Sequence, residues 1–177
     1  MSSASADMNL DLHPDLRPCQ LAIGAERAPL LVIDNFVANA EALVADACAR
    51  PFTVRSRYFP GIRAEAPFAY QQLLLTRLRS ALLDCLGMPE GALTLSMCHY
   101  SRTRGRWTRN IRAGPGYIDG STDLFEQIAK QDGVCNRMLV YRRNSLHSGC
   151  IEARFVPDPN PSTGRLSINS FIDWAPT

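Results

Sequence analysis

Asn136-Arg137-Met138-Leu139-Val140-Tyr141-Arg142-Arg143-Asn144-Ser145-Leu146-His147-Ser148-Gly149, and after it Gly164-Arg165-Leu166-Ser167-Ile168-Asn169-Ser170-Phe171-Ile172-Asp173-Trp174, is the stretch whose reading decides the fold. Two apolar runs, Met138–Tyr141 and Leu166–Ile172, are joined by a segment rich in turn formers: Pro157, Pro159, Pro161 and Gly164. That pattern reads as strand, loop, strand. His147 falls just past the first run. It reads either as a metal ligand or acid–base group, or as a partly exposed loop histidine, since one histidine makes no metal site. Arg165, Ser167 and Asn169 are spaced two apart, so in a strand they share a face, with Leu166, Ile168 and Ile172 on the other. The polar face reads either as a cavity lining, where the guanidinium forks onto a carboxylate and the serine adds a second bond, or as the solvent side of an amphipathic strand.

Upstream of this stretch the chain alternates between strand and helix signals. Leu30–Ile33 reads as a short buried strand ended by Asp34 and Asn35. Ala40, Leu43, Val44 and Ala47 recur at helical spacing, which predicts a helix over 39–50 stopped by Pro51. Tyr58 to Arg63 reads as a turn with an aromatic pair. Pro67 stands where a first helical residue belongs, and Gly87 where a helix ends. One helix is therefore expected over 67–86, with Leu74, Leu78, Ala81, Leu82 and Cys85 as its apolar stripe. Leu93–Tyr100 reads as a strand, with Leu93, Leu95 and Met97 alternating against Thr94, Ser96 and Cys98. Residues 101–116 carry five arginines, Trp107 and no acidic residue, and show neither period. They are expected to form an irregular loop. A helix over 122–131 is expected next, capped by Asp119 or Ser121.

The bulk numbers narrow the class. A chain of 177 residues suits one domain, read here as 19–177 behind a flexible segment over 1–18. A net charge of +2 points to neither a nucleic-acid nor a membrane surface. No apolar run approaches the ~20 residues a spanning helix needs. The N-terminus lacks the basic and apolar parts of a secretory signal, so the protein is expected in the cytoplasm. Its six scattered cysteines, with no Cys-x-x-Cys pair, are then expected to be reduced thiols.

Three other features carry a weaker signal. His13-Pro14-Asp15 matches His-x-Asp by letter but precedes every strand signal, so a metal site there is disfavoured. His99 lies on or beside a strand and is followed at 101 by serine, which favours a core or cross-strand histidine. The arginine run 102–112 could contact phosphates, yet such runs are commonly solvated loops, so nucleic acid is not expected as a partner.

The stretch quoted first resembles the C-terminal half of the catalytic barrel of 2-oxoglutarate/Fe(II)-dependent dioxygenases. More closely, the chain is similar to an uncharacterised bacterial group, domain-of-unknown-function family 6445. The pieces that carry this are Leu31-Val32-Ile33-Asp34-Asn35-Phe36, Tyr58-Phe59-Pro60-Gly61-Ile62-Arg63, Asn144-Ser145-Leu146-His147-Ser148-Gly149 and Gly164-Arg165-Leu166-Ser167-Ile168-Asn169. The resemblance implies an α+β fold: a partial double-stranded β-helix, or jelly roll, with two or three flanking helices. It also implies Fe(II) and 2-oxoglutarate as cofactors, His147 as the distal iron ligand, and Arg165 with Ser167 as the 2-oxoglutarate anchor. The family's Pro-His-x-Asp segment, due after the strand ending near Tyr100, has no counterpart; the arginine-rich stretch stands in its place. That stretch is either a genuine loop or the product of a deletion or shifted reading frame. A facial triad needs three convergent donors, so iron binding is expected to be weak or absent. The resulting expectation is a degenerate or internally deleted dioxygenase-like, oxidoreductase-like chain impaired in catalysis. The alternative is a non-catalytic module that binds a small carboxylate or a protein.

Overall fold

The computed structural model describes residues 8–55, 61–88, 91–103, 127–142 and 158–176. Among these residues the fold is mixed α+β, with three helices and two three-stranded antiparallel sheets. Strands β1 (Arg17–Ile23), β2 (Ala28–Asp34) and β5 (Met138–Tyr141) form one sheet in the order β1-β2-β5. Strands β3 (Gly61–Glu65), β4 (Gly91–Thr103) and β6 (Leu166–Pro176) form the other in the order β3-β4-β6. The helices are α1 (Ala40–Ala49), α2 (Phe68–Arg77) and α3 (Arg79–Leu86). None is long and apolar enough to cross a membrane.

The apolar run Leu30–Ile33 explains why β2 is central. All four side chains are buried, and in a strand they alternate between faces, so both faces of β2 are covered. Leu31 and Ile33 join the main core, where Val140 and Met138 of β5 lie directly opposite them. Strand β1 has no strong alternation and escapes a sequence reading. It forms because Gly24 and Arg27, both at positive φ, turn the chain back onto β2. The residues before it are also tied down. Met8, Leu10, Leu12 and Leu16 pack against the core, and Leu12 bridges Val37.

Helix α1 starts where expected, with Asn39 Oδ1 accepting from the Ala42 amide at 3.2 Å. The single helix expected over 67–86 is instead two. The chain leaves the α-helical path at Leu78 (φ −89, ψ −6). Two residues earlier, the Thr76 hydroxyl donates to the Gln72 carbonyl at 2.8 Å, a back-bond that bends helices. The break lets Tyr70, Leu73 and Leu74 of α2 and Leu82 and Cys85 of α3 reach the same core, with buried Leu78 between them. Pro67 caps α2 rather than opening it. Gly87 ends α3 in the left-handed region (φ 61), which glycine adopts without steric cost.

Strand β4 departs from simple alternation. Its pairing with β6 slips between Leu95, opposite Ile172, and Met97, opposite Phe171. Ser96 is the extra residue of a β-bulge, and such an insertion exchanges the faces of everything after it. Leu93 and Leu95 pack against the core before the bulge; Cys98 and Tyr100 do so after it. Met97 therefore does not continue the Leu93–Leu95 side as expected, and His99 and Ser101 turn away from the core with it. Gly61–Glu65, part of which reads as a turn, is a strand because it pairs with β4 from Gly61↔Thr103 to Glu65↔His99. Ser101–Thr103, the first residues of the arginine-rich stretch, extend β4; residues 104–116 lie outside the described residues. Residues 127–131 of the helix expected over 122–131 have no regular structure. Ile128 reaches the Gly24 turn but stays 55% exposed, too little burial to hold a helix there.

Candidate functional site

The β3-β4-β6 sheet has two unlike faces. The core takes Ala64, Cys98, Tyr100, Ile168 and Ile172. The opposite face is set by the register. Arg63, Ser101 and Ser167 form one rung, and Glu65, His99 and Asn169 the next. Met97 and Phe171 form the rung beyond. By continued alternation Arg165, immediately before β6, belongs to this face too.

The contacts are polar and local. Asn169 Nδ2 donates to Ser101 Oγ at 3.0 Å. The Ser167 hydroxyl lies 3.5 Å from the Ser101 carbonyl oxygen as its donor. Ser101 is 2% exposed, the one polar residue among the fully buried described residues. Arg63 Nη1 donates to Met97 Sδ at 3.5 Å. Burial holds the Arg63 pKa below its ordinary value. His99 has a lowered pKa, first from burial and then from the charges of Arg55 and Arg63, with Glu65 opposing. Its imidazole is therefore neutral at pH 7. Its Nδ1 is buried with no hydrogen-bond partner among the described residues. A buried ring nitrogen left unpaired is costly, so a ligand that pairs it has a ready gain.

Arg165 is exposed and is positioned by the loop before it. The Gly164 amide donates to the Asn160 carbonyl at 2.7 Å, and Thr163 Oγ1 to Asp158 Oδ2 at 2.7 Å. A Cβ on Gly164 would stand 2.0 Å from the Asp158 carbonyl oxygen, so the loop closes only around glycine. Arg102 fixes the same loop to β4. Its Nη1 donates to the Pro159 carbonyl, and its guanidinium lies 4.1 Å from the Phe52 ring centroid. This first arginine of the 102–112 run is thus engaged with the protein, while the remaining ones lie outside the described residues.

The structure places the other sequence candidates as follows. His147 and the Asn144–Gly149 motif lie outside the described residues. His13 Nδ1 accepts from the Asp15 amide at 3.0 Å, which makes His13-Pro14-Asp15 a local turn. His99 is cross-strand, as its position suggested, but on the polar face. Arg63 and Ser101 were not singled out from the sequence. The usable signal was the alternation of Arg63 and Glu65 with Ile62 and Ala64, hidden because the segment begins with Pro60-Gly61.

His147, the expected iron ligand, lies outside the described residues. Among the described residues no three His, Cys, Asp or Glu side chains converge. Glu65 and His99, candidate donors on the polar face, stand near Arg55 and Arg63, whose charges oppose a dication. A carboxylate suits the same surroundings: fixed cations, hydroxyls, an amide and an unpaired imidazole nitrogen.

A family model described as a family of unknown function (DUF6445) matches residues 14–109 and 104–172. The two segments overlap within the arginine-rich stretch. No curated protein and no solved structure matches the chain.

Proposed function

The chain belongs to the DUF6445 family, and on that premise we propose that it binds a small carboxylate on the polar face of the β3-β4-β6 sheet. In this reading the scaffold is a partial jelly roll of the 2-oxoglutarate/Fe(II) dioxygenase type, impaired in catalysis. The observation that carries the reading is the bonding of Ser167 and Asn169 to Ser101 of the neighbouring strand, on the face that continued alternation extends to Arg165. Arg165 forks onto the carboxylate, and the Ser167 hydroxyl donates to it. Ser101 positions Asn169 and thereby fixes the floor of the site.

Thermal melting with 2-oxoglutarate in excess EDTA tests the reading. Binding to the folded state alone raises the melting temperature as ligand increases. The wild type is expected to shift and Arg165→Ala not to shift. A wild type that stays flat at every concentration defeats the proposal. Anaerobic addition of Fe(II) with 2-oxoglutarate tests the catalytic remnant separately: the charge-transfer absorbance the resemblance implies is expected to be absent, and its appearance would restore an iron site.

A further inference from the structure

The polar face carries a second group suited to pairing with an anion, His99, set well away from Arg165. Arg165 stands one residue beyond the Leu166↔Arg102 pair, while His99 sits opposite Asn169. From Arg165 to Asn169 is four residues, about 13 Å along the strand. With both side chains standing off the sheet, two hydrogen bonds of about 2.8 Å leave about 7 Å, roughly the span between the outer oxygens of an extended five-carbon diacid. At the far end His99 Nδ1 is buried and unpaired among the described residues. Arg55 and Arg63 add positive potential there.

We infer that His99 is the second anchor of this site, so that the face binds a five-carbon dicarboxylate by its two ends, without a metal and without using a 2-oxo group. The inference rests on the proposed carboxylate site and specifies its ligand. Arg165 takes one carboxylate, and His99 donates its Nδ1 proton to the other. Between them Ser167 and Asn169 line the path. A protonated His99 adds a full charge to this hydrogen bond, so affinity rises as pH falls through the histidine range. The charged groups around His99 are Glu65 in the same rung, Arg63 on β3, Arg55 before it, and Asp173 farther along β6 on the same alternation. Glu65 favours that protonation, and the arginines delay it to lower pH.

Isothermal titration of the full chain in EDTA with acetate, glutarate and 2-oxoglutarate decides the matter. In the wild type glutarate and 2-oxoglutarate are expected to bind within about twofold of each other and at least about tenfold tighter than acetate. Glutarate affinity should rise from about pH 8 to about pH 6. His99→Gln should lose the preference over acetate and the pH dependence; Arg165→Ala should lose all binding. Should His99→Gln fail to fold, the acetate-to-glutarate ratio and the pH profile of the wild type carry the test alone. Equal glutarate affinity in His99→Gln and wild type, with binding lost in Arg165→Ala, overturns the inference and leaves the carboxylate site standing. Much tighter binding of 2-oxoglutarate than glutarate also overturns it, because the keto group would then be read. Absence of binding by the wild type overturns both the site and the inference.

Discussion

The helix-facing side of the β3-β4-β6 sheet and its polar side are built from the same strands, and one bulge separates their chemistries. On the helix side Cys98 and Tyr100 are 5% and 0% exposed, packed with Leu74, Leu78 and the first sheet. The Tyr100 hydroxyl deep in that packing is met by a charged pair. The Tyr100 hydroxyl donates to Asp46 Oδ2 at 3.0 Å, and Arg50 Nε and Nη2 donate to the same carboxylate at 2.6 and 3.0 Å. Burial, reinforced by Asp46, pushes the tyrosine pKa up, so it remains a donor across the physiological range. On the polar side Ser101 and Asn169 satisfy each other, but His99 Nδ1 does not find a partner among the described residues. A buried polar group that finds its partners inside the packing, as the Tyr100 hydroxyl does, stabilises the fold. A face that leaves one buried and unpaired gives up stability that a ligand can recover.

That contrast can be broken by substitution. The largest effect is expected on the helix side. Tyr100→Ala removes a fully buried ring and the Asp46 partner, and should cost about 3–5 kcal/mol in urea unfolding. A loss below about 1 kcal/mol would mean that this face is not the tightly packed one. Gly164→Ala comes next, because its Cβ must displace the Asp158 carbonyl. About 1–3 kcal/mol of destabilisation is expected. Carboxylate binding should weaken as well, since the loop that sets Arg165 is forced open. Unchanged binding would show that Arg165 does not depend on this loop. Ser101→Ala on the polar side should cost only about 1 kcal/mol, yet reduce carboxylate affinity by freeing Asn169. If instead it unfolds the chain while leaving affinity intact, the two faces have been assigned the wrong roles.

The smallest effect lies outside both faces. Arg137 donates to both oxygens of Asp34, at 2.5 and 3.0 Å, clasping β5 to β2. The arginine hydrogen bond holds the Asp34 pKa below its ordinary value. A depressed carboxyl pKa contributes stability that is present above the unfolded-state pKa and lost as pH falls through the folded one. Asp34→Asn should therefore lower the neutral plateau slightly and flatten the acid limb of the stability curve below about pH 4, with no loss at lower pH. An unaltered acid limb would show the clasp to be solvated in solution.

Much of the fold was legible where the signal is local. The Asn39 cap, the Gly87 stop and the apolar runs Met138–Tyr141 and Leu166–Ile172 all rest on residues within one turn or one strand, and each element formed there. The break at Leu78 was missed because the stripe Leu74, Leu78, Leu82 continues unbroken through it. The site was half legible. Arg165-x-Ser167 could be placed on one face by spacing alone, but Arg63 and Ser101 become neighbours only through the pairing of β3 with β4.

The sequence by itself determined the family, the two apolar strands of the final stretch, the first helix with its Asn39 cap, the Gly87 stop, and the polar alternation of Arg165, Ser167 and Asn169. Those follow from periodicity and from residues with few conformational options, such as glycine at positive φ. The tertiary structure alone decided which face His99 and Ser101 occupy. That choice hangs on the bulge at Ser96, a one-residue slip against β6. Nothing in residues 91–103 announces such a slip, because register is a property of two strands and the core they share, not of one.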